Sequence, residues 1–230
     1  MWLRKPPQYI VSFLLVCWQA GLYAEFSKEQ LDWLNSDAEH PAQVVNEGGL
    51  TFLSVPAKKA EHHQSMQIQL TRTTIESGWA TVNQCHRDLD SVPSLEVVFN
   101  RERVRKLQVI RYHNIERAEV EGHRVQVNNI MPGSEICLSA ESRILSPVGE
   151  VGGHQRFEMM NGPFMRRFLD GYYPITLQLE VEYPGDMLQI AAIEPEAQSG
   201  WQISYDADRI TMGGRFEGRL TTRVQFTRLK

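Results

Sequence analysis

Apolar and polar residues alternate along most of the chain beyond residue 64. Between Met66 and Leu70 every second residue is apolar, and the same period of two returns at 79–83, in LEVVF at 95–99 and in LQVIR at 107–111. Glycine, proline and asparagine residues separate these segments. Alternation of this kind, broken by turn-forming residues, is typical of antiparallel strands that bury one face. The sequence therefore predicts a mainly β fold.

Helical periodicity is confined to two short segments. Residues 26–38 show it behind a capping signal at Ser27, and FMRRFLDG at 164–171 has the length of a single helical turn. Residues 39–64 are rich in punctuation by glycine and proline and are predicted to be irregular. We therefore expect residues 25–64 to form a short helical and then irregular N-terminal segment.

The first 24 residues have the order of a secretory signal peptide. Arg4 and Lys5 precede an apolar run of nine residues at 10–18, and small Ala24 precedes a polar stretch. The run is shorter than the roughly 20 apolar residues that span a bilayer. We predict cleavage of residues 1–24 and export, to the periplasm in a Gram-negative source and otherwise by secretion. An uncleaved N-terminal anchor is the alternative, and no membrane span is expected after cleavage.

An internal repeat is indicated by matches that follow one another in the same order. RDLD at 87–90 returns as RFLD at 167–170, and later matches follow at offsets that rise only to about 86 residues. The fold predicted from this repeat is two tandem antiparallel β-sandwich-like units, at 65–146 and 147–230, behind the N-terminal segment. In each copy we expect the arginine and aspartate to pair locally and the intervening leucine to enter the core.

The second copy of this element is also the predicted ligand or partner site, because arginine and aromatic residues are the usual anchors of a binding surface. The residues assigned to that site are Phe164, Arg166, Arg167, Asp170, Tyr172 and Tyr173.

Two cysteines lie beyond the predicted signal peptide, Cys85 and Cys137. In an oxidising compartment an even pair predicts a disulfide. The alternative is a zinc or copper site formed by His62, His63, Cys85 and His86, although this spacing matches no specific metal motif. No other cofactor is predicted.

Composition and charge narrow the functional classes. Hydrophobic residues make up 42% of the 230 residues and charged residues 23%, and the net charge is −4. The sequence pI near 6.0 argues against a nucleic-acid partner. Nucleophile-elbow, zinc-protease and nucleotide-binding motifs are missing, which favours a role other than catalysis.

These patterns predict an exported, non-enzymatic binding or assembly accessory protein of the cell envelope. It would contact an envelope protein or a small ligand through the second-unit loop and through exposed strand edges. One alternative is a periplasmic metal-binding protein that holds copper or zinc. The other is an enzyme on a β scaffold that acts on a cell-envelope polymer.

Overall fold

The computed structural model describes residues 46–229, and strands make up most of this part of the chain. The predicted mainly β class is confirmed. The predicted signal peptide and the predicted helix at 26–38 lie outside the described residues. The strands are β1 Thr51–Phe52, β2 His63–Gln69, β3 Trp79–Arg87, β4 Ser94–Val98, β5 Val104–Glu121, β6 Arg124–Arg143, β7 Leu145–Val151, β8 His154–Phe164, β9 Arg166–Phe168, β10 Gly171–Tyr173, β11 Ile175–Glu182, β12 Leu188–Glu194, β13 Trp201–Tyr205, β14 Arg209–Glu217 and β15 Leu220–Arg228.

The strands form one large sheet and two smaller ones. The large sheet has the order β1-β14-β11-β2-β3-β6-β4, with β13 beside β14 and β5 beside β6. A second sheet has the order β12-β15-β8-β7, and β9 and β10 form a separate hairpin. Neighbouring strands are antiparallel except β2 and β11, which run parallel from the pair His63 and Thr176 to the pair Gln69 and Glu182.

The larger hydrophobic core contains residues from both the large sheet and the four-stranded sheet. Strict alternation produces it: along β11 the apolar residues at 175, 177, 179 and 181 are buried, whereas the intervening polar residues are partly or fully exposed. Its fully buried members include Leu177, Leu179 and Met212 from the large sheet and Met159, Val224 and Phe226 from the smaller one.

A smaller core joins the ends of β4, β5 and β6. Val125 and Val127 are completely buried there, together with Leu89 and Ile115. Strand β6 takes part in both regions of the sheet, because its N-terminal end pairs with β4 and its C-terminal end pairs with β3. Three register shifts interrupt the ladder between β5 and β6.

The helical predictions beyond residue 40 need correction. The segment 164–171 ends β8, forms β9 and turns into β10 rather than forming a helical turn. The helix in the described part of the chain is α1, Arg72–Ser77, which Thr71 caps at its N-terminus. Gly78 ends it with a φ of 79°, a left-handed conformation that glycine adopts without strain. Six residues are too few for a periodic signal, so the sequence pattern did not reveal α1.

Two separate sandwiches are not confirmed. The described residues belong to one compact unit, and strands from both sides of residue 146 share the large sheet. The repeated segments nevertheless pair in a similar manner. Val97 of β4 lies opposite Val125 of β6, and Val181 of β11 lies opposite Ile210 of β14.

Candidate functional site

The hairpin of β9 and β10 carries most of the predicted binding residues. Arg166 lies opposite Tyr173, and Arg167 lies opposite Tyr172. The Arg166 guanidinium is 5.6 Å from the ring centres of both Phe168 and Tyr173. Cation–π attraction on two sides favours a fixed position for this charge.

Arg166 also ties the hairpin to the loop between β3 and β4. Its Nε donates to Oδ2 of Asp90 at 2.8 Å, a second nitrogen donates to the other carboxylate oxygen, and Nη1 donates to the carbonyl of Pro174 at 3.0 Å. Such a bidentate, partly buried pair is the strong form of an ion pair. The base of the hairpin is therefore held rigidly against the first copy of the repeated element.

The predicted local ion pairs within each repeated element are wrong. Asp90 pairs with Arg166 across 76 residues, and Asp170 accepts a hydrogen bond from the Tyr173 hydroxyl at 2.6 Å. That hydrogen bond, followed by desolvation, raises the pKa of Tyr173 above its ordinary value. The two leucines also differ, since Leu89 is buried whereas Leu169 at the hairpin tip is fully exposed.

The remaining predicted residues divide between the core and the second face of the hairpin. Phe164 is 5% exposed and belongs to the larger core, so it is unavailable to a ligand. The Tyr172 backbone N–H donates to the carbonyl of Asn46 at 3.0 Å. The Tyr172 ring lies between the guanidinium groups of Arg167 and Arg219, at 5.7 and 6.0 Å from its centre.

The structure brings two of the four predicted metal residues into direct contact. His62 Nε2 and His86 Nδ1 are 2.9 Å apart and share a hydrogen bond, and both side chains are buried. Their neighbours on the same face, Gln64 and Gln84, are also buried and hydrogen-bonded to each other at 3.3 Å. The sequence analysis missed this polar cluster, although the alternation along β2 and β3 places all four residues on the core side.

Burial keeps both histidines of the pair neutral near pH 7. It lowers the pKa of His62 from 6.5 to about 4, with further lowering by the positive charge of Arg166 and then by His63. Burial is also the main reason why the pKa of His86 lies well below its ordinary value, and His62 adds to the effect. His86 Nε2 and Ser134 Oγ are buried without a hydrogen-bond partner in the described part of the chain.

The four predicted metal ligands do not converge. His63 and Cys85 occupy alternate positions to the His62–His86 pair, so their side chains lie on the opposite face of the sheet. Burial and then Arg87 lower the pKa of His63, which Asp88 partly offsets. Cys85 is bonded to Cys137 in a disulfide, as predicted for this pair of cysteines.

The disulfide lies beside a carboxylate on the outer face of the large sheet. Cys85 and Cys137 are directly opposite each other in the ladder of β3 and β6, with Cα atoms 4.1 Å apart. Glu135 lies two residues before Cys137, and its Oε1 is 3.2 Å from the Cys137 sulfur. The same oxygen accepts a hydrogen bond from Arg111 at 2.7 Å. In residues 46–229 this is where three metal-ligating side chains come together.

Comparison with known proteins adds no family to this description. The sequence matches no protein-family model, and no curated protein is significantly similar to it. Within the described range, no helix has the length and apolar character that crossing a bilayer requires.

Proposed function

We propose that this protein is a non-enzymatic binding or assembly protein that contacts its partner through the β9–β10 hairpin. The observation that carries the proposal is a rigid base joined to an exposed apolar tip. Arg166 fixes the base through Asp90 and Pro174, whereas Leu169 projects fully into solvent. A preordered hairpin loses little conformational entropy when it docks, which favours binding.

The tip combines apolar area with positive charge. Exposed Arg167 lies beside Leu169 in sequence, and Met165 at the start of the hairpin is 40% exposed. Burial of a leucine side chain contributes about 1.5–3 kcal/mol, and arginine is a frequent anchor at interfaces. This chemistry fits a partner protein with an apolar pocket and nearby carboxylates.

Strand edges supply a second, weaker contact. Among the described residues β5 pairs only with β6, so one side of an 18-residue strand is free. Register shifts and the charges of Arg105 and Lys106 oppose further pairing along its first half. The ladder is regular only from Ile115 to Glu121, which makes this stretch the edge best suited to adding a partner strand.

Export to the cell envelope is part of the same proposal. The disulfide between Cys85 and Cys137 supports it, because such bonds persist mainly in oxidising compartments. We infer a periplasmic location in a Gram-negative source and secretion in any other. Edman sequencing of the protein purified from the exporting cell tests this, and a first residue other than Glu25 would contradict cleavage after Ala24.

The enzymatic alternative gains no support from the two principal surface depressions in the described structure. The larger, about 790 Å³, is lined by neutral residues and His63, without a carboxylate. The smaller contains Glu180 and Glu182, but Arg209 holds each of them at 3.2 Å. Paired acid and base catalysis needs carboxylates free to exchange protons.

Site-specific photo-cross-linking in the native cell tests the hairpin directly. A photoreactive residue at Leu169 should give a discrete adduct with one protein, and the same residue at Val151, an exposed valine on β7, should not. Arg167→Glu should abolish the Leu169 adduct while the urea midpoint stays unchanged, because an exposed substitution costs about 0.5 kcal/mol or less. Equal adducts at both positions would contradict the proposal.

A further inference from the structure

We propose that reduction of the disulfide converts Cys85, Cys137 and Glu135 into a binding site for a thiophilic divalent metal ion such as zinc. This site differs from the histidine-based one that the sequence suggested. It is independent of the proposed partner-binding function, because it lies on the outer face of the large sheet and not on the hairpin.

Strand register creates the site. Cys85 on β3 faces Cys137 on β6, and Glu135 lies two residues earlier on β6, so the three side chains share one face. Their ligand atoms all lie within 4.8 Å of one another. Because two adjacent strands hold the backbones, the three donors remain close after the sulfur–sulfur bond is broken.

The donor set suits zinc. Two thiolates and a carboxylate are ligand types that Zn²⁺ accepts, and a site with three protein ligands leaves a fourth position for water or substrate. The opposite residue on β5, His113, pairs with Glu135 in the ladder and lies nearest to that fourth position by register. Arg111 holds the Glu135 carboxylate at 2.7 Å beside the Cys137 sulfur, which orients it before a metal arrives.

The oxidised and metal-bound forms exclude each other. Two electrons and two protons from a dithiol reductant break the Sγ–Sγ bond and give two thiols, while the reductant becomes a disulfide. Metal binding then releases the two thiol protons, because thiolate is the ligand. Oxidation of the dithiol ejects the metal, so the redox state of Cys85 and Cys137 controls occupancy.

Cobalt(II) titration of the full chain tests the proposal, since Co²⁺ bound to thiolate shows a sulfur-to-metal charge-transfer band. The protein is reduced with a phosphine, which does not itself compete as a thiol. We expect one equivalent of Co²⁺ to produce the band, excess Zn²⁺ to abolish it and the oxidised protein to show none. Absence of the band in folded, reduced protein would overturn the proposal.

Three variants separate this site from unspecific thiol binding. Cys137→Ser should lose the band, and His62→Gln should keep it with unchanged affinity. Glu135→Gln should bind at least about tenfold more weakly, because even outer partners of a metal ligand are worth about 10–100-fold. Equal affinity of Glu135→Gln and wild type, or loss of binding in His62→Gln, would count against the assigned ligands. Circular dichroism of each reduced protein shows that it remains folded.

Discussion

Acidification should destabilise the fold through the buried pair of His62 and His86. The pKa of His62 is lowered from 6.5 to about 4, because the ring is buried and Arg166 lies near it. Between these two values the unfolded chain takes up a proton that the folded chain refuses. Stability is therefore complete above about pH 6.5 and falls as the pH approaches 4.

The magnitude follows from the gap between the two pKa values of His62. One pKa unit corresponds to about 1.4 kcal/mol, so lowering from 6.5 to about 4 corresponds to about 3 kcal/mol. His86 acts in the same direction, because burial also lowers its pKa. A loss of this size is a large part of the stability of an ordinary domain, about 5–15 kcal/mol.

Urea unfolding over a series of pH values measures this loss. His62→Gln should lose about 3 kcal/mol less than wild type between neutral pH and about pH 4. His113→Gln, which replaces an exposed histidine on β5, should decline like wild type. Parallel pH profiles for wild type and His62→Gln would refute the reasoning, because they would mean that His62 takes up its proton equally in both states.

Three further substitutions test the packing and the covalent bond. Replacing Cys85 and Cys137 by alanine should cost about 4 kcal/mol in urea unfolding, from the loop entropy of 52 residues. Gly214→Ala should cost about 3 kcal/mol and lower the melting temperature, because its Cβ would lie 2.0 Å from the Gly200 carbonyl oxygen. Leu89→Ala should cost about 2–5 kcal/mol, whereas the corresponding substitution at exposed Leu169 should change stability by about 0.5 kcal/mol or less.

Each of these three predictions has an outcome that contradicts it. A cysteine-free variant within about 1 kcal/mol of wild type would mean that the bond contributes little beyond the sheet around it. An unaltered Gly214→Ala protein would show that β13 and β14 separate easily. Similar losses at the two leucines would mean that the hairpin tip is covered in solution.

Local pattern predicted the strands better than their partners. Alternation correctly placed Met66, Ile68 and Val82 in the core, since burial of one sheet face imposes a period of two. It carried no information on which strands pair, and the parallel contact of β2 with β11 spans more than 100 residues of chain. The prediction of two consecutive units failed to anticipate this contact, because it assumed that neighbours in sequence are neighbours in the sheet.

The candidate sites show the same division between local and distant information. Compartment and parity were enough to predict the disulfide, because only two cysteines remained to pair. Arg166 could not be matched to Asp90 from the sequence, since its rival Asp170 is much closer along the chain. The contact of His62 with His86 was within reach of the pattern, because extending the alternation places both rings on the core side of adjacent strands.

The parallel pairing of β2 with β11 governs the order in which the fold can be completed. Met66 and Ile68 on β2 belong to a core that also needs Phe226 near the end of the described chain. A chain that emerges N-terminus first must therefore hold the apolar face of β2 uncovered until almost all of it has been delivered. Such long-range contacts slow folding and expose the intermediate to aggregation. Folding in vivo is thus a late, nearly all-or-none event, and a holding chaperone would act on this strand.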